Sequence, residues 1–99
     1  ALDAIVARLT ERGQAVLVAG MRAAPNFRED YGRAYDAIFP RVAERHGALL
    51  YPFFLEGVAA DRSLNQPDGI HPTAEGVDAI VAAILPSVEA LMDRIEKSR

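Results

Sequence analysis

The chain has 99 residues, too few for more than one domain, and 51% of them are apolar, so a packed core is expected and wholesale disorder is not. Eleven basic against fourteen acidic side chains leave a formal net charge of −3, which gives no electrostatic footprint for nucleic acid or an anionic membrane surface. There is no cysteine, which excludes disulfides, thiolate chemistry and cysteine-ligated zinc; no apolar run approaches the ~20 residues of a membrane span, and no signal peptide is visible.

Leu2, Ile5, Val6 and Leu9 recur at helical spacing and predict an opening amphipathic helix that stops at Gly13. Ala15 to Gly20 is a short continuous apolar run, the pattern of a parallel strand buried on both faces. Met21 to Phe27, with Pro25-Asn26, reads as a loop. A second helix is expected from about Asp30 to Arg45, with Tyr31, Tyr35, Ile38, Phe39 and Val42 as its apolar stripe, Pro40 kinking or dividing it and Gly47 ending it. Leu49 to Leu55 reads as a second strand whose regularity Pro52 interrupts, and Glu56 to Gly69 as loop. The last helix has Thr73 as N-cap, a stripe of Val77, Ile80, Val81, Ile84, Val88, Leu91, Met92 and Ile95, and a kink at Pro86. The order helix, strand, helix, strand, helix predicts an α/β fold with a right-handed parallel crossover.

Two strands make a poor parallel sheet, because both faces need cover and the helices would otherwise show apolar sides to water. Ala1, which opens directly into a helical pattern, suggests a processed product or an excised piece. Both observations lead to the expectation of further strands upstream.

The segment that can carry chemistry is Asp68-Gly69-Ile70-His71-Pro72. An Asp and a His three positions apart across a glycine-containing turn can meet, so that the carboxylate holds one ring nitrogen and leaves the other free as a base. On spacing alone, the same residues also fit a surface turn in which Asp68 caps the helix that follows.

Asp68 to Pro72 followed by Thr73-Ala74-Glu75-Gly76 resembles the last conserved block of the SGNH (GDSL) hydrolase superfamily. Val18-Ala19-Gly20-Met21-Arg22-Ala23-Ala24-Pro25-Asn26 and Tyr51-Pro52-Phe53-Phe54-Leu55-Glu56-Gly57-Val58-Ala59 are similar to its bacterial arylesterase, lysophospholipase and acyl-CoA thioesterase subgroup. The resemblance covers nearly the whole chain. It implies the C-terminal part of a flavodoxin-like three-layer α/β/α fold with a parallel sheet, residues 1–99 forming one portion of a single hydrolase domain. It further implies hydrolysis of carboxylic esters or acyl thioesters by a Ser-His-Asp triad, with His71 as general base and Asp68 as the carboxylate that orients it. No metal or organic cofactor is implied. The implied partners are a small acyl or aryl ester or thioester substrate and the N-terminal portion of the same enzyme, which would supply the nucleophilic serine of a Gly-Asp-Ser motif and an oxyanion-hole glycine and asparagine; neither nucleic acid nor a membrane span is implied. A periplasmic or secreted setting goes with the resemblance, although the cysteine-free composition leaves the compartment open.

The sequence departs from that pattern in having no Gly-Asp-Ser motif: its serines are Ser63 in a charged loop, Ser87 in a helical pattern and Ser98 in a charged tail. Asn26 and Asn65 read as turn residues rather than an oxyanion donor. His46, before Gly47, suits a helix C-terminus and its dipole better than catalysis or, with His71, metal binding. Met21, Arg22 and the loop from Val58 to Leu64 are candidates to line an acyl pocket near His71. The rival reading is a non-enzyme, an interaction module that uses exposed apolar helix faces to bind another protein.

Overall fold

The computed structural model describes residues 1–23 and 28–98. Helix α1 (Leu2–Glu11), strand β1 (Leu17–Ala19), helix α2 (Glu29–His46), strand β2 (Leu49–Tyr51) and helix α3 (Ala74–Lys97) follow in that order, with a short 3-10 helix at Arg62–Leu64. The strands pair in parallel, with Leu17 opposite Leu49, Val18 opposite Leu50 and Ala19 opposite Tyr51. This is the α/β class expected, with a parallel sheet. The pairing extends past β1 because Gly20 N–H donates to the Tyr51 carbonyl at 2.8 Å and Phe54 N–H to the Gly20 carbonyl at 2.8 Å.

Val6, Val18, Val42 and Ala43 form the main buried cluster, with Leu2, Val16, Phe39, Ala48 and Leu50 packed around it. It joins α1 and α2 to one side of the strand pair. Helix α3 packs against both strands and the 3-10 helix, and its Arg94 Nη1 donates to the Gly47 carbonyl at the end of α2 at 2.8 Å. A half-buried polar tie adds to the α1–α2 packing: Arg45 Nη1 lies 3.1 Å and His46 Nε2 2.8 Å from Asp3 Oδ1. The hydrogen bond from His46, followed by the Arg45 charge, holds the Asp3 carboxyl below its ordinary range. His46 therefore binds across helices in addition to sitting at a helix end.

Several elements differ from their sequence expectations. The first strand is regular over Leu17–Ala19 rather than Ala15–Gly20, and only Val18 of the three is buried, while Ala19 is exposed. Val18 faces the α1–α2 cluster; the other face has only α3 above it and one neighbouring strand among the described residues. The second strand ends at Tyr51 rather than Leu55, where Pro52 has no N–H to continue a ladder. Neither Pro40 nor Pro86 divides its helix; both rings are exposed, so the carbonyls they deprive of a donor can turn to water. Gly47 ends α2 in the left-handed conformation, as expected. Pro25 and Asn26 lie outside the described residues.

The α3 stripe is wider than the surface available to it. Ile80 is buried and Ile84, Val88 and Leu91 are half-buried, whereas Val77, Val81, Leu85 and Met92 are each about half exposed. Tyr31 and Ile38 of the expected α2 stripe are likewise exposed. No helix among the described residues is long and apolar enough to cross a membrane.

Thr73 caps α3 as its sequence position suggests: its hydroxyl oxygen accepts from Gly76 N–H at 3.1 Å. Thr73→Ala should lower the unfolding free energy by about 1 kcal/mol, read by chemical denaturation, with helix content retained in the folded state.

Candidate functional site

The loop after β2 descends through overlapping turns to the 3-10 helix, which Asp61 initiates: its Oδ1 accepts from Ser63 N–H at 3.0 Å and from Ser63 Oγ–H at 2.6 Å. A tight hairpin follows. Asn65 forms an antiparallel bridge with Pro72, Gln66 N–H donates to the His71 carbonyl at 2.7 Å, and Gly69 N–H donates to the Gln66 carbonyl at 2.9 Å. Gly69 turns the chain with φ of 70°, a conformation that costs a side-chain-bearing residue about 1 kcal/mol or more.

Within this hairpin Asp68 spends both carboxylate oxygens. Oδ1 accepts from Ile70 N–H at 2.9 Å and His71 N–H at 3.1 Å, and Oδ2 lies 2.7 Å from His71 Nδ1. The expected adjacency of the two residues is thus present. The His71 hydrogen bond, reinforced by the backbone donors of Ile70 and His71, pulls the Asp68 carboxyl down to about 2. An ionised carboxylate can only accept, so Nδ1 carries a proton, and in the neutral ring Nε2 keeps the lone pair. With 69% of its side chain exposed, the imidazole can present that lone pair to another group.

Around the pair, α3 docks closely. Thr73 N–H donates to the Leu64 carbonyl at 2.9 Å, and Gly76 lies so near that oxygen that a Cβ on it would collide. The glycine of Thr73-Ala74-Glu75-Gly76 is therefore a requirement of close approach between α3 and the 3-10 helix.

A cavity of about 570 Å³ abuts the hairpin, lined by Ala60, Asp61, Arg62, Asn65, Gln66, Pro67 and Gly69. It includes part of the Val58–Leu64 loop singled out from sequence, but not Met21 or Arg22. Arg22 instead lies over the Phe53 ring, 4.7 Å from its centroid, and 4.0 Å from Glu56, so it joins the segments that follow β1 and β2. Among the described residues no serine hydrogen-bonds to His71: Ser63 Oγ is committed to Asp61, Ser98 Oγ to the Ile95 carbonyl at 2.9 Å, and Ser87 lies on α3. Asn26 lies outside the described residues. No group of three or more His, Cys, Asp or Glu among the described residues could hold a metal ion.

Sequence reasoning missed the 3-10 helix and the part played by Asn65. Asp61-Arg62-Ser63 is a local capping signal that could have shown the first. The second depends on carbonyls four and seven residues earlier and has no local signature.

No family model matches the chain. Esterase TesA of Pseudomonas aeruginosa is 30% identical over 91 residues, which are 92% of this chain and 45% of that protein. The arylesterase of Vibrio mimicus is 31% identical over 74 residues, 75% of this chain and 37% of that one. The chain therefore spans less than half the length of these curated relatives. Among solved structures, AlinE4, an SGNH-hydrolase family esterase, is 44% identical with a TM-score of 0.65, over 90% of this chain and 47% of that one. The crystal structure of TesA superposes with a TM-score of 0.82 at 30% identity, over 91% of this chain and 50% of that one.

Because the folded-state pKa of Asp68 is depressed, its contribution to holding the hairpin is complete above the ordinary value of 3.8 and is lost as pH falls through about 2. A carboxyl-carbon NMR titration should place the Asp68 midpoint near the lower value and move it back toward the ordinary one in His71→Ala.

Proposed function

The chain belongs to the SGNH hydrolase family, and from that premise we propose that it is the C-terminal portion of a serine hydrolase of carboxylic esters or acyl thioesters, contributing His71 as general base and Asp68 as its orienting carboxylate. The observation that supports this reading most strongly is the Asp68–His71 pair: Nδ1 is engaged at 2.7 Å by an ionised carboxylate, and Nε2 is left open on an exposed ring.

In this reading the nucleophilic serine and the remaining oxyanion-hole donors come from outside these 99 residues. The serine oxygen attacks the carbonyl carbon while His71 Nε2 takes its proton, and Asp68 stabilises the imidazolium that forms. His71 then returns the proton to the departing alkoxide or thiolate, leaving an acyl-serine. Water, deprotonated by the same nitrogen, attacks that ester and releases the acid. The cavity beside Gly69 is a candidate seat for part of the substrate. The half-exposed faces of Val77, Val81 and Leu85 fit cover by the rest of such a domain; they would equally serve an interaction module, the second reading.

In the complete protein, His71→Ala and Asp68→Asn should each lower kcat on a nitrophenyl acyl ester by roughly 10³-fold or more, with unfolding midpoints retained. The 99-residue chain alone should be inactive and should regain turnover when mixed with a segment bearing Gly-Asp-Ser. Near-normal hydrolysis by either variant would overturn the assigned roles. Lack of any esterase or thioesterase activity in the complete protein would favour the interaction module.

A further inference from the structure

We infer that Asn65 is the positioning residue of the Asp68–His71 pair: its side-chain amide moors the hairpin that carries the base to the buried part of the preceding loop. The catalytic consequence rests on the function proposed above; the structural one does not.

The inference starts from an imbalance. With 69% of its side chain exposed, the His71 ring is not held by packing of its own. The bonds within the turn, from Asp68 to Ile70 and His71, are local. They fix the shape of the turn but not its position on the protein. Position comes from the base of the hairpin, where Asn65 pairs with Pro72 and Gln66 N–H binds the His71 carbonyl, and from the docking of α3, where Thr73 N–H binds the Leu64 carbonyl.

Asn65 ties that base down. Its Nδ2 donates both amide protons, one to the Val58 carbonyl at 2.8 Å and one to the Asp61 carbonyl at 2.8 Å. Val58 is completely buried, so one end of the link is anchored by packing. Two carbonyl oxygens converging on one point suit a group with two donors and no negative charge, which the asparagine amide is. Each carbonyl also accepts a backbone N–H, Val58 from Asp61 and Asp61 from Leu64, both at 3.1 Å, so alanine would remove the tie between the hairpin and the loop while those local bonds stayed, and aspartate would set a carboxylate against the two oxygens. Asparagine at 65 therefore makes a link between the loop and the hairpin that a simple turn preference does not explain. The connection runs from Val58 through the Asn65 amide to the hairpin base and on to His71.

The test uses the complete protein with Asn65→Ala and Asn65→Asp, and Val6→Ala as a control that lowers stability far from the hairpin. Active sites are titrated with a covalent organophosphonate, so that kcat on a nitrophenyl acyl ester is expressed per competent site. Amide hydrogen exchange is followed at Gln66 and Thr73, with Val18 and Leu50 as core references. Both Asn65 variants should lose roughly ten- to a hundredfold in kcat per titrated site, the scale of a catalytic group displaced by about an ångström, with KM held within about twofold. The pH profile of kcat/KM should keep its midpoint, because the Asp68–His71 bond is local. Exchange at Gln66 and Thr73 should accelerate while the core amides do not change, and Val6→Ala should keep its kcat per site. Unchanged kcat per site, unchanged exchange at Gln66, a shifted pH midpoint, or an equal loss in Val6→Ala would each overturn the inference. Failure of the functional reading would look different: His71→Ala would remain active while the exchange result stood.

Discussion

The parallel pairing of Leu17–Ala19 with Leu49–Tyr51 is the constraint on which the rest of the structure depends. Parallel strands end at the same edge, so whatever follows them leaves from one side of the sheet. Arg22, just past β1, thereby reaches Phe53 and Glu56, just past β2, and the loop carrying Asp68 and His71 starts from that same edge. Ligand sites of open α/β sheets lie beyond the carboxyl ends of the strands, and the candidate pair lies in a loop of this kind. The pairing itself holds because Val18, the inward-facing residue of β1, is clamped by Val6, Val42 and Ala43.

Two kinds of force divide the molecule. The α1–α2 side is held by burial of branched side chains, supplemented by the tie of Arg45 and His46 to Asp3. The hairpin side is held almost entirely by hydrogen bonds, because Asp68, Gly69, Ile70 and His71 are all exposed. In the role proposed for His71, such a division suits a base that a substrate has to reach: packing an imidazole would fix it but would also cover it and penalise its charged form. Hydrogen bonds fix it while leaving the ring open, provided that each carbonyl and carboxylate is matched by a donor. Asp68 achieves this with three N–H donors on two oxygens.

The exposed apolar residues of α3 reflect the narrowness of the sheet. Two strands of three residues offer little area, and a helix of 24 residues with a continuous apolar stripe overhangs it. Ile80 is buried, whereas Val77 and Val81 on its flanks are about half exposed. In the function proposed above, the rest of the domain would cover these flanks.

The sequence by itself determined the element order, the helices α1 and α3 with the Thr73 cap, and the stop at Gly47, and it put Asp68 within reach of His71 while leaving a capping turn as the other reading. Each is decided by interactions within a few residues, where spacing, φ preference and capping chemistry act directly. Only the tertiary structure decided how short the strands are, because a ladder needs a partner and Pro52 removes a donor from one. It also decided that Arg22 turns to Phe53 rather than to the cavity by His71, that His46 reaches Asp3, and that Gly76 is needed by the Leu64 carbonyl. Those outcomes depend on which distant backbone and side-chain groups arrive at the same place, and no local pattern of residues encodes that arrival.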